Sequence, residues 1–334
     1  MTRRMASAQA NSGLARLPHM AIVIAFTFLG SFGLMAQTAA TSHGPTGKGF
    51  ANPQEAANAL INAAENFDTA ALTEIFGAEG RKIVLTGESG YDRELAKKFA
   101  AQAREKNVIE PDAKNPHRVV LTVGKYDWPF PAPIVQIKGK WFFDAKAGQR
   151  EITYRRVGSN ELNAIEICNN YVEAQHEYAL RKRDGYEVHQ YAQRIIASPG
   201  KHDGLAWQNA DGSWEGPISE GVAKALEKGY SLNESYHGYF FKILKGQGPA
   251  APLGQLDFVV KGAMIGGFAL VAAPAQYRVT GVKTFLVGYD GVVYEKDLGP
   301  ETLKAFHNMV RYNPDKSWTP VLEPEEPAGL AAKK

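Results

Sequence analysis

Two of the eight histidines in this sequence of 334 residues stand beside side chains that could support chemistry. His237 follows Tyr236 at the entry of an aromatic strand, where it either hydrogen-bonds a neighbouring loop or takes part in binding or proton transfer. His176 lies beside Glu173 and Glu177 in a helical pattern, so it belongs to a hydrated helix face or serves as a metal ligand, acid or base. No two histidines have the spacing of helical metal ligands, and the sequence predicts no metal site.

The residues that could act as nucleophiles lack the sequence surroundings that such chemistry uses. Ser198 and Ser219 lie outside any Gly-x-Ser-x-Gly pattern, and Asp203 belongs to a Lys-His-Asp-Gly segment typical of a turn. Cys168 is the sole cysteine and falls in an apolar helical stripe, which indicates a buried thiol and excludes an intramolecular disulfide. The glycine-rich segment 246–249 has neither the lysine nor the helix start of a phosphate-binding loop. No catalytic residue and no cofactor is predicted.

Large aromatic side chains with a polar atom cluster in the second half of the chain. Such side chains suit contact with a ligand or a protein partner, and they also suit the core of a small sheet. The candidate binding residues are Trp207, Trp214, Tyr236 and His237.

The elements that must position these residues are best marked in the last third of the chain. Runs of β-branched and aromatic residues, separated by glycines, prolines and an Asp-Gly turn, predict an antiparallel meander of four strands. The predicted strands are 238–244, 266–273, 282–287 and 292–296. Apolar or small residues recur at helical spacing over 160–183, and a segment at 147–156 could extend this helix backwards to bridge two domains.

The first half of the chain is predicted to form helices followed by a bent sheet. Asn52-Pro53 and Asp68 are typical helix starts, and a third helix is predicted from Asp92. Strands are predicted over 117–123, 134–137 and 141–143, the last two joined by a Lys-Gly-Lys turn. We therefore expect an α+β fold with a small helix-plus-curved-sheet domain, a long linking helix and a four-stranded antiparallel sheet.

The N-terminal 40 residues are typical of a secretory signal peptide. Arg3, Arg4 and Arg16 precede or flank an apolar run at 20–35, which is shorter than the roughly 20 residues of a spanning helix. An uncleaved inner-membrane anchor formed by 20–35 is the alternative. The predicted organisation is a signal peptide or anchor, a linker, two domains and a disordered tail: 1–40, 41–49, 50–146, 147–312 and 313–334.

The charge balance also depends on this leader. It holds three of the 38 basic side chains and none of the 35 acidic ones, so the remaining chain is formally neutral. A neutral chain without a basic stripe does not favour nucleic acid or an anionic membrane surface as a partner. Membrane contact is expected only through the N-terminal segment.

Several longer segments are similar to a known bacterial family. They are Trp128-Pro129-Phe130-Pro131, Trp141-Phe142-Phe143-Asp144, Asn160-Glu161-Leu162-Asn163-Ala164-Ile165, Ala174-Gln175-His176-Glu177-Tyr178-Ala179 and Asp203-Gly204-Leu205. With the meander, they identify the chain over about residues 50–300 as a member of the family called domain of unknown function 2950. The resemblance implies export in bacteria, and it brings no established activity and no functional residues.

Residues 160–298 also resemble, more loosely, the globular domain of type IV pilins and pseudopilins, in which one helix packs on an antiparallel meander. Pilins join their membrane helix directly to that domain, whereas about 120 residues intervene here and no processing site precedes Asn160. The N-terminal part resembles the cone-shaped fold of nuclear transport factor 2, a likeness of fold only.

Together these features predict an exported, non-catalytic binding or assembly protein of the bacterial envelope, located in the periplasm or associated with the envelope. Its partner is expected to be an envelope protein or a small ligand. One alternative is an envelope hydrolase that uses His237 or His176, which requires His237, Asp203 and a carboxylate in one cleft. The other is a small-molecule carrier, which requires an apolar cavity behind Trp128 and Trp141.

Overall fold

The computed structural model of the protein describes residues 46–85, 89–230 and 234–322. The predicted signal peptide at 1–40 and the last twelve residues of the predicted tail lie outside these ranges. Within them, no helix combines the length and the apolar character that crossing a membrane requires.

The described chain begins with a group of helices that start where the sequence predicts. The Asn52 side chain accepts a hydrogen bond from the Glu55 amide at 2.8 Å, and Asp68 does the same for the Ala71 amide at 3.0 Å. These caps satisfy backbone donors that the first helical turn leaves unpaired. The elements are α1 (Pro53–Glu65), α2 (Thr69–Gly80), a 3₁₀ turn (Arg81–Ile83) and α3 (Ser89–Glu105).

An antiparallel sheet follows, in the order β1-β2-β4-β5 with β3 paired to β2. Its strands are β1 (Asn107–Asp112), β2 (Asn115–Val123), β3 (Trp128–Pro129), β4 (Ile134–Ile137) and β5 (Lys140–Phe143). Aromatic rings fill the space between helices and sheet: Phe76 lies 5.0 Å from Phe143 and 6.0 Å from Phe130. Trp141 packs against this core, and Trp128 is exposed. We call residues 46–143 the N-terminal lobe.

Helix α4 (Ala145–Tyr178) has 34 residues, about 50 Å at 1.5 Å per residue. It is buried at Gly148 and again from Ala164 onward, so it joins the N-terminal lobe to a second core. The predicted backward extension over 147–156 is therefore helical. The helix ends at Tyr178, five residues before the predicted end, and the Arg183 guanidinium lies 4.6 Å from the Tyr178 ring.

After α4 the chain builds a small three-stranded sheet that the sequence did not reveal. It consists of β6 (Arg194–Ile196), β7 (Gly204–Gln208) and β8 (Trp214–Glu215), followed by α5 (Glu220–Tyr230). Strand β6 pairs parallel with β7, and β8 pairs antiparallel with it. We call residues 164–322 the C-terminal lobe.

The predicted meander forms the main sheet of this lobe. Its strands are β9 (Tyr239–Leu244), β14 (Ala269–Pro274), β15 (Lys283–Gly288) and β16 (Val293–Asp297), all paired antiparallel in the order β16-β15-β14-β9. Two short ribbons stand between the first two, formed by β10 (Gly246–Gln247) with β11 (Leu256–Asp257) and by β12 (Val259–Val260) with β13 (Ala263–Met264). Helix α6 (Thr302–Asn308) and strand β17 (Thr319–Pro320) complete the lobe.

Two details differ from the sequence expectation. Strand β17 adds a fifth strand beside β16, and Trp318 and Tyr312 are buried, so part of the predicted disordered tail is packed against the sheet. All six residues of β14 are buried, because α4 and α6 both pack against this strand. A strand covered on both faces shows a continuous apolar run rather than alternation. Helices beside separate antiparallel sheets confirm the predicted α+β class.

Candidate functional site

The most enclosed apolar depression of the C-terminal lobe lies between α4, α5, the small sheet and the main sheet. We call it the apolar groove, and its volume is about 250 Å³. Its apolar lining is Ile167, Ile195, Leu205, Ile218, Val222, Leu226, Phe241 and Leu270. Its polar lining is Asn163, Glu166, Asn170, Tyr171, Tyr236 and His237. The groove therefore contains two of the four predicted binding residues, Tyr236 and His237.

A tight hairpin places those two residues at the groove. The Tyr236 amide donates to the Tyr239 carbonyl at 2.9 Å, and the Tyr239 amide donates back at 3.0 Å. Between them His237 and Gly238 both have positive φ, 48° and 74°, which is the two-residue turn whose twist matches antiparallel strands. The Tyr236 and His237 rings stand 4.4 Å apart as a result.

The imidazole of His237 is oriented by helix α4. Its Nδ1 lies 3.3 Å from Nδ2 of Asn163. With the amide nitrogen as donor, Nδ1 accepts and Nε2 is left to donate. An exposed, oriented imidazole of this kind can donate one hydrogen bond to a bound group.

The Asn-Glu pair quoted from the family motif attaches α4 to the main sheet. Asn160 Nδ2 donates to the Thr280 carbonyl at 2.8 Å, and Glu161 Oε1 accepts from the amides of Val282 and Lys283 at 2.7 and 3.0 Å. A carboxylate that accepts two backbone N–H bonds makes stronger hydrogen bonds than a neutral acceptor. These residues hold the wall of the groove rather than line it.

A second motif residue, Gln175, secures the chain after α4. Its Nε2 donates to the Ala192 carbonyl and to the Tyr171 hydroxyl, both at 2.9 Å, and its Oε1 accepts from the Ala192 amide at 2.8 Å. Gln175 is fully buried, so these bonds replace the water that its amide loses. Burial also raises the pKa of Tyr171 far above its usual value, despite the opposing hydrogen bond from Gln175. Tyr171 is therefore a neutral floor residue.

The hydrolase alternative requires Asp203 and a carboxylate beside His237; Glu166 lines the groove with His237, and Asp203 does not. The Asp203 carboxylate accepts hydrogen bonds from the Ser198 amide and hydroxyl at 2.7 and 2.9 Å, and it does not line the groove that contains His237. His176 is exposed, with its ring edge-on to Phe268 at 5.6 Å. Burial raises the pKa of the Cys168 thiol to about 12, which keeps it protonated at neutral pH. In the described ranges no cluster of three or more His, Cys, Asp or Glu side chains could hold a metal ion.

The two tryptophans predicted as binding residues lie outside the groove. Trp207 is buried in β7, where its ring lies 4.6 Å from the Arg183 guanidinium and 5.0 Å from the His202 ring. Trp214 is half-buried in β8, with Lys224 Nζ 5.3 Å from its ring. Both rings stack with cations of their own chain, an arrangement that contributes to packing.

Sequence reasoning missed most of the groove lining. Glu166 and Asn170 stand one turn apart on α4, on the side of the helix that also presents Asn163. Val222 and Leu226 stand at the same spacing on α5, and 41% of Val222 is exposed. In the sequence, only an exposed valine within an amphipathic helix could have indicated the groove, because its other lining residues come from distant segments.

Comparison with known proteins adds a family and no activity. The family model described as Protein of unknown function (DUF2950) matches residues 47–321. No curated protein matches the chain, and no solved structure matches it. The match covers nearly all of the residues that the structure describes, and it includes every residue that lines the apolar groove. The chain therefore belongs to the DUF2950 family.

Proposed function

We propose that this protein is an exported, non-catalytic binding protein of the bacterial envelope, and that the apolar groove receives an apolar side chain of a protein partner. The observation that carries the proposal is the composition of the groove, an aliphatic and aromatic floor with a polar rim. Such pockets anchor a buried side chain at the centre of an interface, while rim groups pair with the partner's backbone.

The size of the groove favours one anchoring side chain over a whole ligand. Sites for drug-sized molecules usually enclose about 300–1,000 Å³. At about 250 Å³, the groove is just below this range. Glu166 and Asn170 are exposed beside it, so they are free to accept and donate hydrogen bonds to a segment that lies across the opening.

The alternatives have less support. A hydrolase needs Asp203 near His237, whereas the Asp203 carboxylate is engaged by Ser198. A carrier needs a cavity behind Trp128 and Trp141, whereas a packed aromatic cluster lies behind Trp141. The pilin likeness remains a proposal, supported by the packing of one long helix on an antiparallel meander.

A photo-crosslinker that replaces Glu166 on the rim tests the proposal in living cells. We expect one discrete crosslinked species in the envelope fraction, lost when Val222→Asp places a charge in the groove. The matched control is Val260→Asp on β12, where the native valine is 45% exposed against 41% for Val222 and lies outside the groove. A crosslink that survives Val222→Asp, or that Val260→Asp abolishes equally, would contradict a partner seated in the groove.

The cellular location of the protein is tested separately by cell fractionation. The proposal expects the chain in the periplasmic or membrane fraction, with a mass that reports whether the leader at 1–40 is removed. Recovery exclusively from the cytoplasm would reject export and leave the groove to be tested with cytoplasmic partners.

A further inference from the structure

A second depression lies in the N-terminal lobe, between β2, the proline-rich turn before β4 and the first turns of α4. Its volume is about 310 Å³, and it is more open and more polar than the apolar groove. Three guanidinium groups line it, those of Arg118, Arg150 and Arg155. We call it the arginine cleft. Among the described residues, Glu151 is the only acidic one that lines it.

The charges in the arginine cleft are only partly balanced. Arg118 pairs with Asp112 through one nitrogen, and Arg155 Nε donates to Glu151 Oε1 at 2.8 Å. Among the described residues, no carboxylate lies within ion-pair distance of Arg150. A guanidinium has five N–H donors, so the two paired arginines also keep donors that these contacts do not use.

The backbone around the arginines is firmly held. Gly148 packs so closely that a Cβ there would lie 2.8 Å from Cβ of Ala132 in the proline-rich turn. Asp144 caps α4 by accepting from the Ala147 amide at 2.9 Å. The cap already neutralises the positive end of the helix, so any attraction for an anion comes from the guanidinium groups. A held backbone has less freedom to lose on binding than a mobile one.

Apolar surface adjoins the cationic groups. Tyr154 is 67% exposed on α4 beside Arg150 and Arg155, and the rings of Pro129 and Pro131 line the opposite side. A ligand that pairs with a guanidinium could therefore lay a carbon skeleton against the tyrosine and the prolines. Arginine forks match the planar geometry of carboxylate and phosphate groups.

We propose that the arginine cleft binds a small organic anion that carries a carboxylate or phosphate group. Arg150 supplies the uncompensated charge, and Tyr154 and the prolines contact the rest of the molecule. The site is independent of the apolar groove, since the two share no lining residue.

The test is a calorimetric titration of the purified full chain with citrate and, separately, with inorganic phosphate, at about 20 mM NaCl. We expect saturable binding of at least one probe, weakened about tenfold by Arg150→Gln, since hydrogen bonds to charged groups are the strong ones. The matched control is Arg156→Gln, an exposed arginine of the same helix that does not line the cleft. It should change the affinity less than about twofold.

A second variant is expected to bind the anion more tightly rather than more weakly. Glu151→Gln removes the only carboxylate that lines the cleft and releases Arg155 Nε, so it should tighten binding about threefold or more. Binding of citrate without phosphate would identify a carboxylate site, and the reverse a phosphate site. The proposal is overturned if neither probe saturates by about 10 mM, if Arg150→Gln and Arg156→Gln weaken binding equally, or if Glu151→Gln weakens it.

Discussion

The apolar groove and the arginine cleft lie along the same helix, and they offer a ligand opposite kinds of contact. The groove has a floor of aliphatic and aromatic side chains from six helices and strands and one loop. The cleft has three arginines, two of them on α4, and among its described lining residues only Pro133 is buried. Burial of apolar surface is insensitive to salt, whereas pairing of exposed charges is screened by it. One rigid helix can therefore carry two sites whose occupancy responds to different conditions.

The two lobes also hold α4 by different means. In the N-terminal lobe the contacts are close packing at Gly148 and, among the described residues, a single side-chain hydrogen bond, from Gln149 Nε2 to the Glu79 carbonyl. In the C-terminal lobe, side-chain hydrogen bonds from Asn160, Glu161 and Gln175 reach the backbone of distant segments. The comparison teaches that Asn160, Glu161 and Gln175 attach α4 to the segments that surround the groove.

The largest effect is expected from a pair of glycine substitutions, one in each lobe. Gly139 and Gly238 occupy the same position of equivalent two-residue turns, with φ of 79° and 74°. A Cβ on Gly139 meets nothing within 4 Å, whereas on Gly238 it would lie 2.5 Å from Asn160 Nδ2. Gly139→Ala should lower the free energy of unfolding by about 1 kcal/mol and Gly238→Ala by about 3 kcal/mol.

Urea denaturation of both variants measures this difference. In addition, Gly238→Ala should reduce the Glu166 crosslink and leave citrate binding in the cleft unchanged. Equal losses of stability in the two variants would show that the approach of Asn160 to the hairpin does not constrain the groove.

The next largest effect is a difference in salt dependence between the two sites. Raising NaCl from about 20 to about 200 mM should weaken citrate binding in the arginine cleft about fivefold, because the pairing groups are partly exposed. The Glu166 crosslink should be unchanged over the same range, since the groove floor is apolar. Titration calorimetry measures citrate binding at each salt concentration, and the yield of the Glu166 crosslink is measured over the same range. A crosslink yield as sensitive to salt as citrate binding would show that the two sites do not differ in salt dependence.

A smaller effect is expected from the two valine variants used as crosslinking tests. Both native valines are more than a third exposed, so Val222→Asp and Val260→Asp should each change the free energy of unfolding by less than about 0.5 kcal/mol. Thermal unfolding followed by circular dichroism provides the measurement. A large loss in Val222→Asp alone would mean that Val222 supports the fold, and the crosslink would then need a milder substitution such as Val222→Thr.

The smallest effect concerns Asp112, which pairs with an arginine of the cleft. The Lys114 amide at 2.8 Å, followed by the Arg118 guanidinium, holds the pKa of Asp112 below its usual range. A depressed folded-state pKa stabilises the protein above the unfolded-state pKa of about 3.9, and that contribution is lost as the pH falls through the folded-state pKa. Asp112→Asn should therefore be slightly less stable than the parent at pH 7, with the gap closing below about pH 4. Urea denaturation midpoints of both proteins, measured from pH 7 to pH 3, check this expectation. A difference between the two midpoints that does not change with pH would exclude the charge of Asp112 as its cause.

The sequence was a good guide where a segment has a strong local pattern. The four meander strands lie within three residues of their predicted bounds, because apolar runs between turn-forming residues leave few other arrangements. The α1 and α2 starts follow from Asn52 and Asp68, which cap their own helices. Strands β6 to β8 were missed because they have two to five residues each and pair only after α4 and α5 are in place.

The candidate site was predictable only in part. Of the four predicted binding residues, Tyr236 and His237 line the groove, whereas Trp207 and Trp214 stack with cations of their own chain. Composition cannot distinguish these two outcomes, because a tryptophan serves a core and an interface equally well. The end of α4 shows the same limit: a helix dipole argument placed it at Arg183, whereas the helix ends at Tyr178.

The sequence by itself determined the α+β class, the family, and the main strands and helices. Those features depend on periodicity, caps and turn chemistry, which act over a few neighbouring residues. Only the tertiary structure decided that Val222, Glu166 and Leu270 share one groove and that Arg118 joins Arg150 in one cleft. The physical reason is that both depressions are made by segments tens of residues apart, and their proximity depends on how α4 packs at each of its ends.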